Sequence, residues 1–402
     1  MGVPTQPSTP GAQVTFVAEI LARLPGLAKP QLKFMLAMFA AFFSFTGRAN
    51  RTNLARHGAP SPSSQYRWAQ RDFDFTTFNR QALIAAGIEQ HELVAVMDES
   101  FIRKAGKKTH GLGFFYDACN RKARRGLEIS LVGLIDRTDN LAYTLQVQQV
   151  QPKPVEGSRL DAAAAQYNAQ RAHISSWTDT WVFDGAYAKK SFVDAVVKTG
   201  DTMVSRLRKD AAMRHLYTGA YSGRGRPKKY SGKVVFDDLS RWSWMGEVEA
   251  GVGLYSLVCW HDSLQRQILV SLLRLERTGK YVLLFSTNVE EDAFEVVSIY
   301  RSRFQVEFLF REGKQELGLN DCQARDEKGL DFHFNLSLSA LNLLRIEELA
   351  RGEGVLSIAS ARRRKQNENL MHRLFDRLGL DPTSPIIQPI FQDLRNYGAI
   401  AA

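Results

Sequence analysis

The chain has 402 residues, which is too long for one ordinary hydrophobic core, so we expect two or three domains. Its 44% hydrophobic and 24% charged residues are normal for a globular protein and exclude a wholly disordered chain. A net charge of +11 at pH 7 favours a polyanionic partner, although many basic proteins bind no nucleic acid.

The cysteines and the apolar segments limit the class of protein further. The three cysteines are far apart, which argues against a disulfide framework or a cysteine-based zinc site. The most apolar stretch, residues 34–45, spans about 12 residues, fewer than the roughly 20 that cross a bilayer. No signal-type segment opens the chain. We therefore expect a cytoplasmic protein with no membrane partner.

The N-terminal region reads as helical. Residues 1–13 are rich in Pro, Gly, Ser and Thr and predict disorder, and two apolar helices follow near 14–26 and 30–45. Ser61-Pro62 then opens a basic and aromatic helix that carries Arg67. A helix, a glycine turn and a basic helix resemble a helix-turn-helix, while a plain helical bundle fits equally well.

Two apolar runs predict buried strands, and an acidic residue follows each run directly. Leu93 to Met97 precede Asp98, and Thr180 to Phe183 precede Asp184. Further strands are expected at 113–116, 127–132, 142–150 and 202–205, with helices at 158–173 and 188–198. This order predicts a mixed α/β sheet, and ligands bind at the carboxyl ends of strands in such sheets.

Residues 206–279 interrupt this scheme. They contain strand-like runs at 233–237, 247–260 and 266–275, which predict a mostly β insertion. A strand at 281–286, a long helix at 291–317 and an apolar helix at 331–349 then resume the main domain. We expect residues 351–402 to form a basic C-terminal tail that ends in a polar, loosely ordered segment.

The long helix carries a stripe of functional side chains. Tyr300, Arg303, Glu307 and Lys314 fall within a sector of about 60° at 3.6 residues per turn. The stripe alone fits a solvated face with ion pairs between successive turns. With Asp98 and Asp184 added, it supplies the three carboxylates that can hold two Mg²⁺ ions for phosphoryl transfer.

Three segments resemble one known family. Tyr300-x-x-Arg303-x-x-x-Glu307 followed at the seventh position by Lys314 resembles the Tyr-Arg-Glu-Lys signature helix of the DDE transposases of bacterial insertion sequences. Asp184-Gly185-Ala186-Tyr187 and Met97-Asp98-Glu99-Ser100 resemble the two Asp motifs of this cut-and-paste group. The similarity extends over about residues 90–350.

The resemblance implies an α/β fold: a ribonuclease H-like catalytic core, residues 91–205 and 280–350, with a β-rich insertion at 206–279. Residues 1–90 would form an N-terminal all-α DNA-binding domain. Asp98, Asp184 and Glu307 would be the catalytic residues and would hold two Mg²⁺ ions per site, or Mn²⁺ in their place. Tyr300, Arg303 and Lys314 would contact phosphates. The implied partners are the double-stranded DNA of transposon ends and target, and a second copy in a synaptic homodimer. No small-molecule cofactor is expected.

The insertion and the tail add candidates for DNA contact. Arg224-Gly225-Arg226-Pro227 resembles an AT-hook core, which lies in a minor groove, but a basic surface turn has the same composition. The expected contacts of this region are Arg224, Arg226, Lys228, Lys229 and Trp260. Trp242, Trp244 and Trp260 each fit either a core position or a base-stacking one. The basic clusters 121–125 and 362–365 fit phosphate contacts or a solvated surface.

The leading hypothesis is therefore a bacterial, nucleoid-associated DNA transposase. It would bind terminal inverted repeats, cleave the DNA ends and join them to target DNA. One alternative is a domesticated or inactive relative that only binds DNA, which the intact acids disfavour. Another is a ribonuclease H-like nuclease without strand transfer, which needs neither the Tyr, Arg and Lys stripe nor the β insertion.

Overall fold

The computed structural model describes residues 12–221, 223, 225–352 and 357–400. Five helices precede the first strand: α1 (Ala12–Ala22), α2 (Lys29–Ser44), α3 (Arg51–Arg56), α4 (Pro62–Ala69) and α5 (Phe75–Ala85). Of the segment expected to be disordered, residues 1–11 lie outside the described residues, and residues 12 and 13 begin α1.

Side-chain caps set where α3, α4 and α5 begin. Asn50, Ser61 and Asp74 each accept a hydrogen bond from the backbone N–H three residues further on. Each cap satisfies one of the free N–H groups of the first turn and stabilises its helix by about 1 kcal/mol. The helix predicted from Ser61-Pro62 is thus confirmed, with proline in its first turn.

The N-terminal helices pack on the rest of the molecule through one continuous buried cluster. The Phe39 and Phe78 rings stack with centroids 4.9 Å apart. The buried Asn79 amide donates to the Leu145 carbonyl and to the Ser339 hydroxyl, which belong to a strand and a helix of the main body. The division at residue 90 stays a prediction, since these helices share their core with the sheet.

In the described part of the chain, twelve strands form a single sheet. They are β1 (Leu93–Arg103), β2 (Gly113–Asp117), β3 (Lys122–Asp136), β4 (Leu141–Val150), β5 (Thr180–Phe183), β6 (Thr202–Arg206), β7 (Met213–Leu216), β8 (Tyr230–Lys233), β9 (Ser243–Glu249), β10 (Val252–His261), β11 (Arg266–Leu275) and β12 (Tyr281–Ser286). Their order is β2-β3-β1-β5-β6-β12-β11-β10-β7-β8, with β4 beside β3 and β9 beside β10.

The central part of the sheet has mixed direction. β1 runs antiparallel to β3 and parallel to β5, and β5 runs parallel to β6. The helices α6 (Arg159–Ile174) and α7 (Lys190–Lys198) connect these strands and pack on each other. Strands joined in this way bury both faces, which explains why the β1 and β5 sequences are almost continuously apolar. The arrangement is compatible with a ribonuclease H-like core.

The insertion continues this sheet rather than standing apart from it. β12 is antiparallel both to β6 of the centre and to β11 of the insertion. Two predicted strands were wrong in their bounds. Residues 234–237 follow β8 outside any strand, and the run at 247–260 is a hairpin of β9 and β10 that turns at Gly251, whose φ is 75°. Glycine adopts a positive φ without steric cost, so the chain can turn at this residue. β9 therefore ends before Gly251, and β10 begins after it.

The C-terminal half is helical: α8 (Ala293–Ser302), α9 (Phe304–Gln315), α10 (Glu327–Arg351), α11 (Ile358–Leu378) and α12 (Ile387–Arg395). The single long helix expected at 291–317 is divided at Arg303 into α8 and α9. None of the described helices is long and apolar enough to cross a membrane.

Residues 358–378 and 387–395 of the predicted basic tail form α11 and α12. Arg362 and Arg364 are buried, because acids on neighbouring helices face them. Arg362 contacts Glu316 at 3.4 Å, and Arg364 forms an ion pair with Glu348. Among the four residues 362–365, only Arg363 is exposed, so this cluster is neither solvated nor free for phosphate.

Candidate active site

Asp98 lies within β1 and not at its end as predicted, since β1 continues to Arg103 by pairing along its whole length with β3. Its side chain is 15% exposed. One carboxylate oxygen accepts the Glu99 backbone N–H at 2.9 Å, and the other accepts from Nη1 of Arg303 at 2.5 Å. Asp98 therefore faces the helix that carries the predicted stripe.

Asp184 follows β5 directly, as predicted. Met97 of β1 is opposite Phe183 of β5 in a parallel register, so the next residues, Asp98 and Asp184, are neighbours on adjacent strands. The Ser205 hydroxyl donates to the Asp184 carbonyl at 3.1 Å and holds this end of β5 to β6. The Asp184 side chain makes no capping hydrogen bond to the short helical turn that follows.

Arg303 joins the helix acid to this strand edge. Its Nη2 lies 3.6 Å from Glu307 Oε1, while its Nη1 bonds to Asp98. Burial raises the pKa of Asp98 to about 6. The guanidinium of Arg303 opposes this rise, and the charges of Asp184 and Glu307 add to it. The structure thus brings the three predicted acids together around one cation.

The three acids do not share a metal-binding spacing in this form. Among the described residues, only His91, Asp136 and Asp139 place a ligand atom each within 4.8 Å of one another. In that group the Asp136 carboxylate already accepts from His91 at 2.8 Å and from two backbone N–H groups, so it closes the turn after β3. At the site, Arg303 supplies the positive charge. The donor set of three carboxylates, although not the spacing of its atoms here, is the one that a hard divalent cation prefers.

The remaining stripe residues lie on the same side of β1. Lys314 Nζ donates to the Ser100 hydroxyl at 2.8 Å, and Ser100 shares the sheet face of Asp98. Burial lowers the pKa of Lys314. The Arg303 guanidinium lies 5.8 Å from the centre of the Tyr300 ring, and burial raises the pKa of that phenol.

An acidic cluster lies on the opposite face of the sheet: Glu99, predicted from the sequence as a salt-bridge partner or surface charge, and Glu128, which was not predicted. Arg159 of α6 contacts Glu99 at 3.1 Å and also Glu128. Burial, followed by the charge of Glu99, raises the pKa of Glu128 to about 7. Burial also raises the pKa of Glu99. The available indication was Glu128, a charged residue within the mostly apolar run 127–132.

The other predicted DNA contacts do not join this site. Arg67 is exposed on α4, and its guanidinium donates to Ser64. Arg226, Lys228 and Lys229 are exposed between β7 and β8, the far end of the sheet. With strands about 4.8 Å apart, that end lies on the order of 30 Å from β1. Arg224 lies outside the described residues.

The three insertion tryptophans differ in exposure. Trp242 is buried and Trp260 is half-buried, with its ring 5.7 Å from that of Tyr230. Trp244 on β9 is 53% exposed and lies 4.9 Å from the Tyr255 ring. Trp244 is therefore the most accessible of the three, although Trp260 is the one predicted from sequence.

Fold and site together define the class. This is a mixed α/β protein whose sheet is compatible with a ribonuclease H-like core and whose central strands carry an acidic centre. The chain belongs to the transposase DDE domain family, whose model matches residues 89–343, more than half of the chain.

The chain is similar to the piggyBac transposase in a cryo-EM structure of its synaptic complex with hairpin DNA, with a TM-score of 0.43 and 13% identity. That similarity covers 95% of this chain and 82% of the other. Among curated proteins none matches the chain. The family assignment rests on the domain match alone.

Proposed function

We propose that this protein is a DNA transposase of the bacterial insertion-sequence, cut-and-paste type. It binds terminal inverted repeats, cleaves the DNA ends and joins them to target DNA in the bacterial nucleoid. The observation that carries the proposal is the convergence of Asp98, Asp184 and Glu307 around Arg303 in a chain of the transposase DDE domain family.

In this proposal each side chain at the site has a role. Asp98, Asp184 and Glu307 hold two Mg²⁺ or Mn²⁺ ions, which when bound activate an attacking oxygen and stabilise the leaving one. Arg303 neutralises Asp98 before DNA arrives, because its guanidinium already bonds to that carboxylate. It can also fork onto phosphate oxygens. Tyr300 and Lys314 border the same face of β1 and orient the DNA backbone.

The proposal extends to DNA contacts outside the acidic site. Arg67 and Tyr66 are both exposed on α4, with the Arg51 guanidinium 5.0 Å from the Tyr66 ring, so this region fits recognition of the terminal repeat. The exposed turn with Arg226, Lys228 and Lys229, together with Arg224, would bind phosphates further along the DNA.

We also propose that two copies of the chain form a homodimer through their C-terminal helices. The Asn367 amide donates to the Arg395 carbonyl, and Phe375 packs on Phe391, so α11 and α12 lie antiparallel. Exposed apolar side chains lie one residue before the contact positions of these helices: Leu370, Leu374, Ile386, Ile390 and Leu394. Leu378 and Tyr397 are also exposed.

In an antiparallel pair these two stripes fall on one side of the hairpin, because the same rotation about opposed helix axes points to the same side. The area they leave uncovered is on the order of the 800 Å² that each partner contributes to a standard interface. A second copy presents an equally sized, self-complementary face, as a twofold interface requires.

The catalytic proposal is tested by incubating the protein with Mg²⁺ and its element's end DNA and separating the products on a denaturing gel. Asp184→Ala should abolish cleavage while binding of the end DNA stays nearly intact. Asp210→Ala is the matched control, since Asp210 is exposed and paired only to Arg208 in its own turn. Undiminished cutting by Asp184→Ala would reject the proposal, and nicks without strand-transfer products would indicate a nuclease.

A further inference from the structure

The hairpin of β2 and β3 exposes two aromatic rings. Along β2, Phe115 and Asp117 are buried, whereas Phe114 is 73% exposed and Tyr116 is 62% exposed. Large apolar rings with so much exposed area are costly in water unless they serve a contact.

The hairpin is held in place at both ends. At the tip, Asp117 accepts from the backbone N–H of Cys119, from the Asn120 amide at 2.6 Å and from Arg124 at 3.2 Å. At the base, Gln149 donates to the His110 carbonyl at 2.8 Å. These hydrogen bonds hold the hairpin in one conformation. The two rings are therefore exposed by the fold itself, and not because the ends of the strands separate.

Register places both rings on the face of the sheet that carries Asp98. Phe114 is opposite Arg125 on β3, and Asp98 is opposite Leu131 on the same strand. Positions 125 and 131 are six residues apart, so their side chains point to one face. At about 3.3 Å per residue, the rings lie on the order of 20 Å from the acidic centre.

Exposed cations surround the two rings. Lys107 and Lys108 are in the loop that leads into β2, Arg121 is in the turn after β2, and Lys122 and Arg125 are on β3. Asp117 is the one acid within residues 113–126, where β2 and β3 pair, and it is buried and already bonded to Arg124. This charge is complementary to a polyanion such as DNA.

Ring spacing then indicates which part of DNA is bound. Residues i and i+2 of a strand are about 6.6 Å apart, and a planar base occupies about 3.4 Å of that, so one base fits between the two rings. The Phe114 ring has no group that binds phosphate, and both rings can stack on the faces of bases that are not paired in a duplex.

We propose that Phe114 and Tyr116 form a stacking platform for unpaired bases of a DNA strand that passes the active site. Arg125 and its basic neighbours bind the phosphates of that strand. This inference rests on the proposed function, namely that the protein acts on DNA.

The test compares binding of a labelled oligothymidylate of about 16 nucleotides with binding of a duplex of equal length. The double variant Phe114→Ala, Tyr116→Ala should bind the single strand about tenfold or more weakly, with duplex affinity unchanged. The single variant Phe114→Trp should keep single-strand affinity. Arg125→Ala is the charge control: it should weaken both ligands and reduce the salt dependence by about one ion.

Equal affinity of the wild type and the double variant for the single strand overturns the inference, as does absence of single-strand binding by the wild type. A change in oligomeric state of the double variant without DNA also overturns it, since the rings would then join two protein copies. Cleavage by the wild type and its loss in Asp184→Ala test the proposed function separately, so the two failures are distinguishable.

Discussion

In the proposed function Arg303 has two roles that exclude each other in time. Its guanidinium bonds to Asp98 at 2.5 Å and lies 3.6 Å from Glu307, so it compensates carboxylates that a divalent ion would otherwise bind. Its Nε atom is buried without a hydrogen-bond partner, although both Nη atoms face acids. A side chain held this way can release Asp98 when ions and phosphate arrive, which fits a site that is completed only by DNA.

At residue scale we expect Arg303→Ala to weaken the complex with end DNA by a few kcal/mol at most, through loss of charge-assisted contacts. Arg303→Lys should restore little, because one ammonium cannot reproduce the planar fork that reaches two acids. Titration of end DNA in a gel-shift assay measures the change. Unaltered complex formation and unaltered cleavage in both variants would reduce Arg303 to an ordinary ion pair.

A second residue-scale prediction concerns His333, whose pKa burial lowers to about 4 from 6.5. Its ring bonds to the Gly318 carbonyl at 2.9 Å. Below pH 6.5 His333 is protonated in the unfolded chain, whereas in the folded chain it stays neutral down to about pH 4. The histidine therefore costs stability as the pH falls through this window, by about 2–3 kcal/mol at pH 4.5.

Urea unfolding of His333→Gln and wild type at pH 7.5 and 4.5 measures this cost. The free energy of unfolding of the variant should rise relative to that of the wild type as the pH falls. The comparison between variants is needed because Asp331 nearby, whose pKa burial raises to about 7, stabilises the fold over the same window and masks the total. A pH-independent difference between the two proteins would contradict the prediction.

At the scale of elements, the sequence predicted those strands and helix starts that depend on neighbouring residues in the chain. The apolar runs before Asp98 and Asp184 indicated β1 and β5, and the cap at Ser61 indicated α4. The length of β1 beyond Asp98 could not be predicted, because pairing with the 15-residue β3 decides it and the two strands are distant in sequence.

The acidic site was predictable in part for the same reason. The three acids and the stripe around Glu307 could be predicted from the spacing of residues in the sequence. The ion-pair partner of each charged side chain could not, because it depends on tertiary packing. Burial of Arg362 and Arg364 shows this clearly, since a basic run in sequence became a set of ion pairs in the core. The exposure of Trp244 rather than Trp260 likewise depends on the β9–β10 hairpin.

At the scale of the molecule, one sheet connects the acidic centre with the insertion. β12 bonds to β6, which holds the end of β5, and also to β11 of the insertion. DNA bound along this surface would contact a single sheet whose strands are joined by hydrogen bonds. The apolar C-terminal face, in contrast, has no partner among the described residues of this chain, which is the basis of the dimer proposal.

We expect the double variant Leu374→Asp, Ile390→Asp to be monomeric, because each aspartate would be desolvated at the centre of the apolar face. Light scattering after gel filtration measures the mass with and without end DNA. Val155→Asp is the matched control, since Val155 is fully exposed far along the chain from this face. A wild type that is monomeric under both conditions would contradict the dimer proposal, as would a double variant that stays dimeric.

The most direct test of the central claim replaces one proposed metal ligand by a softer one. In Asp184→Cys the carboxylate oxygen becomes a thiolate, which binds Mg²⁺ poorly and later divalent metals of the first transition row better. Cleavage of end DNA is then measured with Mg²⁺ and with Mn²⁺. The account predicts that cleavage is lost with Mg²⁺ and partly recovered with Mn²⁺, and cleavage at the wild-type rate with Mg²⁺ would contradict it.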